Sequence, residues 1–198
     1  MNLYQSIKDK EIVDLLLADK VGIIPTDTIY GIVARASNEA AASKVLEVKG
    51  RKYKPGTLIA ASLEQIVELG IPRRFLTAVD QFWPGPVSVV VPMIDDKLTY
   101  LHGGAMSLPV RIPNPSNLLN LLKKTGPLIT TSANRPNEKP ATTIQEALDI
   151  FGSEIDFYVD GGDLSNRPAS TIIRVVDDEI EVLREGAVKI DKNGRIIK

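Results

Sequence analysis

Short apolar runs bounded by proline recur along this chain: VGIIP at 21–25, PVSVVVP at 86–92, SLPVRIP at 107–113 and PLITTSAN at 127–134. Proline has no backbone N–H, so within a sheet it is confined to strand ends, edges and bulges. Each run therefore reads as a short strand with a defined limit. TLIAAS at 57–62 reads the same way, and four further strand candidates lie near 155–160, 170–176, 179–184 and 187–190. The sequence DDE at 177–179 suits a hairpin turn.

Helix signals alternate with these runs. Residues 8–19 read as a helix. NEAAASKVLEVKG at 38–50 has Asn38 to cap its start and Gly50 to end it. Ser62 to Gln65 forms a capping-box pattern for a helix ending near Gly70. Residues 73–83 look helical up to Pro84, residues 115–124 form an amphipathic helix ended by Gly126, and Thr143 with Glu146 opens a helix closed by Gly152. The stretch 93–106 is read as irregular. Strands and helices alternate and then strands dominate, which predicts an α/β fold on a twisted mixed β-sheet with flanking helices. The 198 residues suit one domain, with a core over about 5–190.

Residue usage narrows the chemistry. The chain has no cysteine and one histidine, His102. Thiol nucleophiles, thiolate metal sites and disulfides are excluded, as is a metal site with two histidine ligands from one chain. His102, beside Gly103 and Gly104, reads as part of a mobile surface loop rather than as a catalytic base. Trp83 reads as a packing anchor. Chemistry must rest on lysine, arginine, carboxylates, hydroxyls and backbone amides. No apolar run approaches the ~18–20 residues of a membrane helix, and MNLYQSIKDKEIVDLL lacks the apolar core of a signal peptide. No membrane partner is expected, and the expected compartment is the cytoplasm. The net charge is −1, but KGRKYK at 49–54 holds four cations and acids gather later in the chain. That sorting could create one positive face.

Five places could carry function. Pro25-Thr26-Asp27-Thr28 puts small oxygen-bearing side chains at the carboxyl end of a strand, where ligands of open α/β sheets bind; a plain turn is the alternative. Lys49-Gly50-Arg51 could grip phosphate, or could simply end a helix. Thr130-Thr131-Ser132-Ala133-Asn134 could hold a phosphate or nucleoside, or form a turn. Arg111 lies in an apolar strand, where an unpaired charge is costly. It either meets a structural carboxylate or waits for an anionic ligand. Ser170-Thr171 opens a strand, with Arg184 at the end of its expected hairpin partner.

Taken in order, PTDTIYG, KGR, FWPGPVSVV, VRIP, TTSAN, DGG and STII resemble the YrdC/TsaC family of L-threonylcarbamoyladenylate synthases, in its short, single-domain form. The resemblance runs from about Val21 to Gly186. Its most specific part is Lys-x-Arg followed by Ser-x-Asn, here Lys49, Arg51, Ser132 and Asn134. The sequence departs from the family at Val33, where glycine is common, and at Glu185, where many members carry proline.

The resemblance implies a YrdC-like fold with a concave basic cavity. It implies synthesis of threonylcarbamoyl-AMP and pyrophosphate from L-threonine, bicarbonate and ATP, with Mg²⁺ accompanying ATP. A threonylcarbamoyl transferase complex would then modify tRNA, and tRNA or double-stranded RNA is a further partner to test. By carry-over, Lys49, Arg51, Ser132 and Asn134 are catalytic. Thr26, Arg111, Thr130 and Ser170 bind threonine. Lys49, Arg51, Tyr53, Ser132, Asn134, Pro140 and Arg184 bind ATP. Two other readings share the fold: an RNA-binding or maturation protein without synthase activity, of YciO type, and a carbamoyl-adenylate module like that of hydrogenase maturation. The second normally accompanies zinc-finger and acylphosphatase regions, which a cysteine-free chain of this length lacks.

Overall fold

The computed structural model describes residues 2–50, 54–77, 79–114, 117–177, 179–191 and 193–197. Its strands are β1 (Asn2–Tyr4), β2 (Gly22–Pro25), β3 (Tyr30–Arg35), β4 (Thr57–Ile59), β5 (Val87–Pro92), β6 (Ser107–Arg111), β7 (Leu128–Ser132), β8 (Phe157–Val159), β9 (Thr171–Val176), β10 (Glu179–Arg184), β11 (Lys189–Ile190) and β12 (Ile196–Ile197). Its helices are α1 (Lys10–Leu17), α2 (Glu39–Val48), α3 (Leu63–Glu68), α4 (Thr99–His102), α5 (Asn117–Thr125) and α6 (Ile144–Phe151). Ten strands form one mixed sheet in the order β1-β8-β2-β3-β7-β4-β6-β5-β9-β10, and β11 pairs with β12 apart from it.

The two-residue strand period distributes the core over both faces of this sheet. Ile23 and Ile32 join Ala42 and Val45 of α2 and Ala147 and Phe151 of α6 on one face. Their neighbours Ile24 and Val33 pack with Ile12 and Leu16 of α1 and Leu118, Leu121 and Leu122 of α5 on the other. The central strands are thus covered on both sides, which explains why β3 reads YGIVAR, with little polar alternation. For that reason the sequence reading passed over β3. It also passed over the short edge strand β1, which pairs parallel with β8.

The predicted caps form. Asn38 accepts from Ala41 N at 2.9 Å, Ser62 accepts from Gln65 N, and Thr143 accepts from Glu146 N. Gly50 takes φ 66° after α2, a left-handed conformation suited to glycine.

Three expectations fail. Among the described residues of 73–83 there is no α-helix; there are two separate 3₁₀ turns, Arg73–Phe75 and Asp80–Phe82. Leu76, Val79 and Phe82 are buried, and their spacing of three residues falls on one face of either a 3₁₀ turn or an α-helix, so the pattern alone does not separate the two. His102 is not in an open loop. It is 1% exposed, and its Nδ1 accepts from Gly104 N and Met106 N, both at 3.2 Å. The stretch 93–106, expected to be irregular, contains α4 and a 3₁₀ turn at Asp96–Leu98. Trp83 packs against the core and donates from Nε1 to Val87 O at 2.8 Å.

Tyr30 fixes a long-range connection that matters for the site. Its hydroxyl donates to Gly162 O and accepts from Gly161 N, both at 2.8 Å. Burial raises its pKa above the usual phenol value, so the neutral, donating form is retained at neutral pH. Tyr30→Phe removes both bonds and is expected to cost ~1–3 kcal/mol, read as a lower urea midpoint with an unchanged slope.

Candidate active site

Strands β2 and β7 run in one direction and β6 in the other, and a cavity lined by residues of all three, or of the turns that follow them, lies against the sheet. Its empty volume is about 640 Å³, mouth included. Thr26, Arg111, Thr130, Ser132, Ser170 and Arg184 all line it. These residues lie up to 158 positions apart in sequence (184 − 26). Strand order brings them together: β3 pairs with β7, setting Gly31 opposite Ser132, and β7 pairs with β4, setting Thr130 opposite Thr57.

The turn after β2 is closed by its own hydroxyl. Thr26 Oγ1 donates to Ile29 O at 2.7 Å and accepts from Thr28 N at 3.1 Å. Both the turn reading and the cavity position therefore hold for Thr26. Asp27, next in the chain, turns to Arg111. Arg111 Nη2 lies 3.1 Å from Asp27 Oδ1, with both side chains under 5% exposed. Asp27 Oδ2 also accepts from Asn114 N at 3.3 Å. The Asp27–Arg111 contact lacks hydrogen-bond alignment, and Arg111 Nε has no hydrogen-bond partner among the described residues. Desolvation lowers the Arg111 pKa from its ordinary value, and the Asp27 charge opposes that shift. The guanidinium remains cationic, because an arginine starts far above neutral pH.

Lys49 caps α2 and is 2% exposed. Its Nζ donates to Ser132 O at 2.8 Å and Asn134 O at 2.7 Å, and it also reaches Ser132 Oγ and Asn134 Oδ1. Asn134 Nδ2 in turn donates to Arg135 O and Glu138 O, both at 2.8 Å. One lysine thus holds the Ser132–Asn134 turn in shape beside the cavity. The ammonium is desolvated but ringed by oxygens, the condition under which a buried charge is tolerated.

Across the cavity, Arg184 Nη2 donates to Ser170 O at 2.7 Å and Ser170 Oγ at 3.0 Å, and Nε donates to the same carbonyl at 3.1 Å. Pro140 does not line the cavity. It precedes Ala141, whose N–H bonds Ala133 O at 2.8 Å, which places it beside the Ser132–Asn134 turn. Arg51 and Tyr53 lie outside the described residues.

The sequence reading missed several wall residues: Tyr30, Gly31, Thr57, Pro109 and Ile172. Gly31 had a legible signal, since a glycine beside a proline-ended strand often marks close backbone approach. A Cβ at Gly31 would lie 2.6 Å from Thr130 Oγ1 and 3.2 Å from Thr26 Cγ2. Gly31→Ala is therefore expected to push Thr130 or Thr26 aside. It should reshape this wall of the cavity while the fold persists, checked by a structure of the variant and an unchanged slope in urea unfolding.

A family model described as telomere recombination, Sua5/YciO/YrdC, matches residues 14–186. The chain belongs to the Sua5/YciO/YrdC family. A Methanocaldococcus jannaschii protein provisionally named threonylcarbamoyl-AMP synthase is 32% identical over 185 residues, covering 91% of this chain and 86% of that protein. Threonylcarbamoyl-AMP synthase of Pyrococcus abyssi is 29% identical over 182 residues, and the match covers 90% of this chain but 54% of that longer protein. The crystal structure of P. abyssi Sua5 complexed with L-threonine superposes with a TM-score of 0.80 at 27% identity, covering 94% of this chain and 57% of that one. Escherichia coli YciO shares the fold alone, at 18% identity and TM-score 0.75 over 93% of each chain. Members of the family thus share this α/β sheet over almost the whole of the chain.

Proposed function

We propose that this chain is an L-threonylcarbamoyladenylate synthase, a nucleotidyltransferase that converts L-threonine, bicarbonate and ATP to threonylcarbamoyl-AMP and pyrophosphate. The observation that carries the reading is the convergence of Arg111, Arg184, Thr130, Ser132 and Ser170 on one cavity, with the Lys49 cluster attached through Ser132. The likeness to a Sua5 structure holding L-threonine supports the same reading.

The reaction needs no enzyme nucleophile. The threonine amine adds to the carbon of bicarbonate or carbon dioxide, and a carbamate forms with loss of water or a proton. A carbamate oxygen then attacks the α-phosphorus of ATP, and the bond from that phosphorus to the pyrophosphate oxygen breaks. The difficulty is gathering a carboxylate, a carbamate and a triphosphate in one place. Cations and fixed hydrogen-bond donors offset their mutual repulsion and stabilise charge that builds in the transition state. Arg111 would take the threonine carboxylate, with Ser170 beside it. Thr26 and Thr130 would shape the pocket for the rest of the amino acid. Ser132, Asn134, Lys49 and Arg184 would face the phosphates and the carbamate, joined by Arg51, Tyr53 and Pro140. Holding the reactants in line can supply ~7–11 kcal/mol of the barrier reduction.

The donor set suits Mg²⁺ brought in on ATP. Among the described residues no three His, Asp or Glu side chains converge as a cage, and Mg²⁺ characteristically binds through substrate phosphates and its own waters. It would enter as part of the nucleotide substrate.

The product is an activated acyl-adenylate, so a transferase complex acting on tRNA would consume it. No helix of the described residues is long and apolar enough to cross a membrane, and the compartment proposed is the cytoplasm. Pyrophosphate release from ATP and bicarbonate should require L-threonine. Salt-sensitive tRNA or double-stranded RNA binding without any threonine-dependent release would instead favour the non-synthase reading.

A further inference from the structure

Ser88 sits in the middle of the apolar strand PVSVVVP and is 0% exposed. A buried hydroxyl needs a partner. The partner is Ser170, 82 residues away, whose Oγ accepts from Ser88 Oγ at 3.1 Å. The juxtaposition follows from the sheet: β5 pairs parallel with β9, setting Ser88 opposite Ile172. Ser170 itself is 5% exposed and lines the cavity.

Counting protons gives this contact a direction. Ser170 Oγ already accepts from Arg184 Nη2 at 3.0 Å, and an arginine can only donate. If Ser170 donated to Ser88, the Ser88 proton would be left without an acceptor among the described hydrogen bonds. If Ser88 donates, Ser170 Oγ accepts two protons and its own O–H is left to turn to the cavity. That arrangement uses every group.

We infer that Ser88 is a positioning residue for amino-acid recognition: with Arg184 it fills the acceptor sites of Ser170, so that the Ser170 hydroxyl is presented as a donor to a carboxylate in the cavity. The inference rests on the threonine-binding reading above. Ser88 touches no ligand and acts only through Ser170. A donor of fixed direction favours an anionic group over a neutral one, so the device selects free amino acids over their amides or esters.

The test is a double-mutant cycle on L-threonine binding, read by calorimetry without ATP, with threonine-dependent pyrophosphate release followed in the same preparations. Ser170→Ala should weaken threonine binding by about tenfold or more, the value of a hydrogen bond to a charged group. Ser88→Ala should show most of that loss, with ATP affinity and the thermal midpoint close to wild type. Ser88→Thr, which keeps the hydroxyl, should recover part of it. The double variant should be no worse than Ser170→Ala alone, because the two act in series. Threonine binding by Ser88→Ala equal to wild type overturns the inference, and so do losses that add in the double variant. Failure of the functional reading shows elsewhere, in wild-type protein that binds threonine but releases no pyrophosphate. Wild-type protein that binds no threonine overturns both.

Discussion

Lys49→Ala is expected to lower threonine-dependent turnover by ~10²–10³-fold, by analogy with loss of one preorganised charge contact. The sequence alone suggests an intact fold with a missing phosphate ligand. The structure adds a second effect. Lys49 is the shared donor for Ser132 O and Asn134 O, so its loss leaves carbonyl oxygens facing one another in a buried place. A stability decrease of ~1–3 kcal/mol should accompany the kinetic loss, seen in urea unfolding. Lys49→Arg keeps the charge but presents a planar fork where a compact ammonium fits; it should recover stability better than rate. Near-wild-type turnover in Lys49→Ala would remove this residue from the site.

The second large effect belongs to the buried ion pair. Asp27→Ala leaves Arg111 without its counter-charge in a site where its side chain is 4% exposed. Breaking a buried pair in this one-sided way costs ~3–5 kcal/mol, a large part of the ~5–15 kcal/mol that holds a typical domain together. Arg111→Met should destabilise comparably, since it strands the carboxylate instead. The two variants differ in function. At high threonine concentration Asp27→Ala should be rescued in thermal stability, because the ligand carboxylate replaces the lost charge beside Arg111, whereas Arg111→Met should show no threonine-dependent shift. A threonine shift retained in Arg111→Met would remove Arg111 from the carboxylate site. This pairing also resolves the alternative left open by the sequence. Arg111 meets a structural carboxylate, yet it also lines the cavity.

Much of the fold is legible because local chemistry and tertiary position agree. Asn38, Ser62 and Thr143 announce helix starts through hydrogen bonds made within three residues, and such bonds need no knowledge of the rest of the chain. Proline-bounded runs mark strands for the same reason. Misreadings occur where position decides. β3 is buried on both faces and shows little alternation. Residues 73–83 carry apolar residues at a spacing shared by two helix types, and His102 beside two glycines gives no sign that two backbone amides converge on its ring.

The site divides along the same line. Thr26, Ser132 and Arg111 lie at strand ends or in conspicuous polar settings, so sequence singles them out. Asp27 as the partner of Arg111, Thr57 opposite Thr130 and Ser88 beneath Ser170 depend on strand order and register. No short-range pattern encodes these.

The central claim is that one cavity joins an amino acid, a carbonate-derived carbon and an adenylate. The most direct measurement incubates the purified chain with ATP, Mg²⁺, L-threonine and ¹³C-labelled bicarbonate and analyses the nucleotides by mass spectrometry. The account predicts an adenylate that contains both threonine and the labelled carbon, formed together with pyrophosphate and absent when threonine is omitted. ATP left intact, or AMP released at the same rate without threonine, would contradict it.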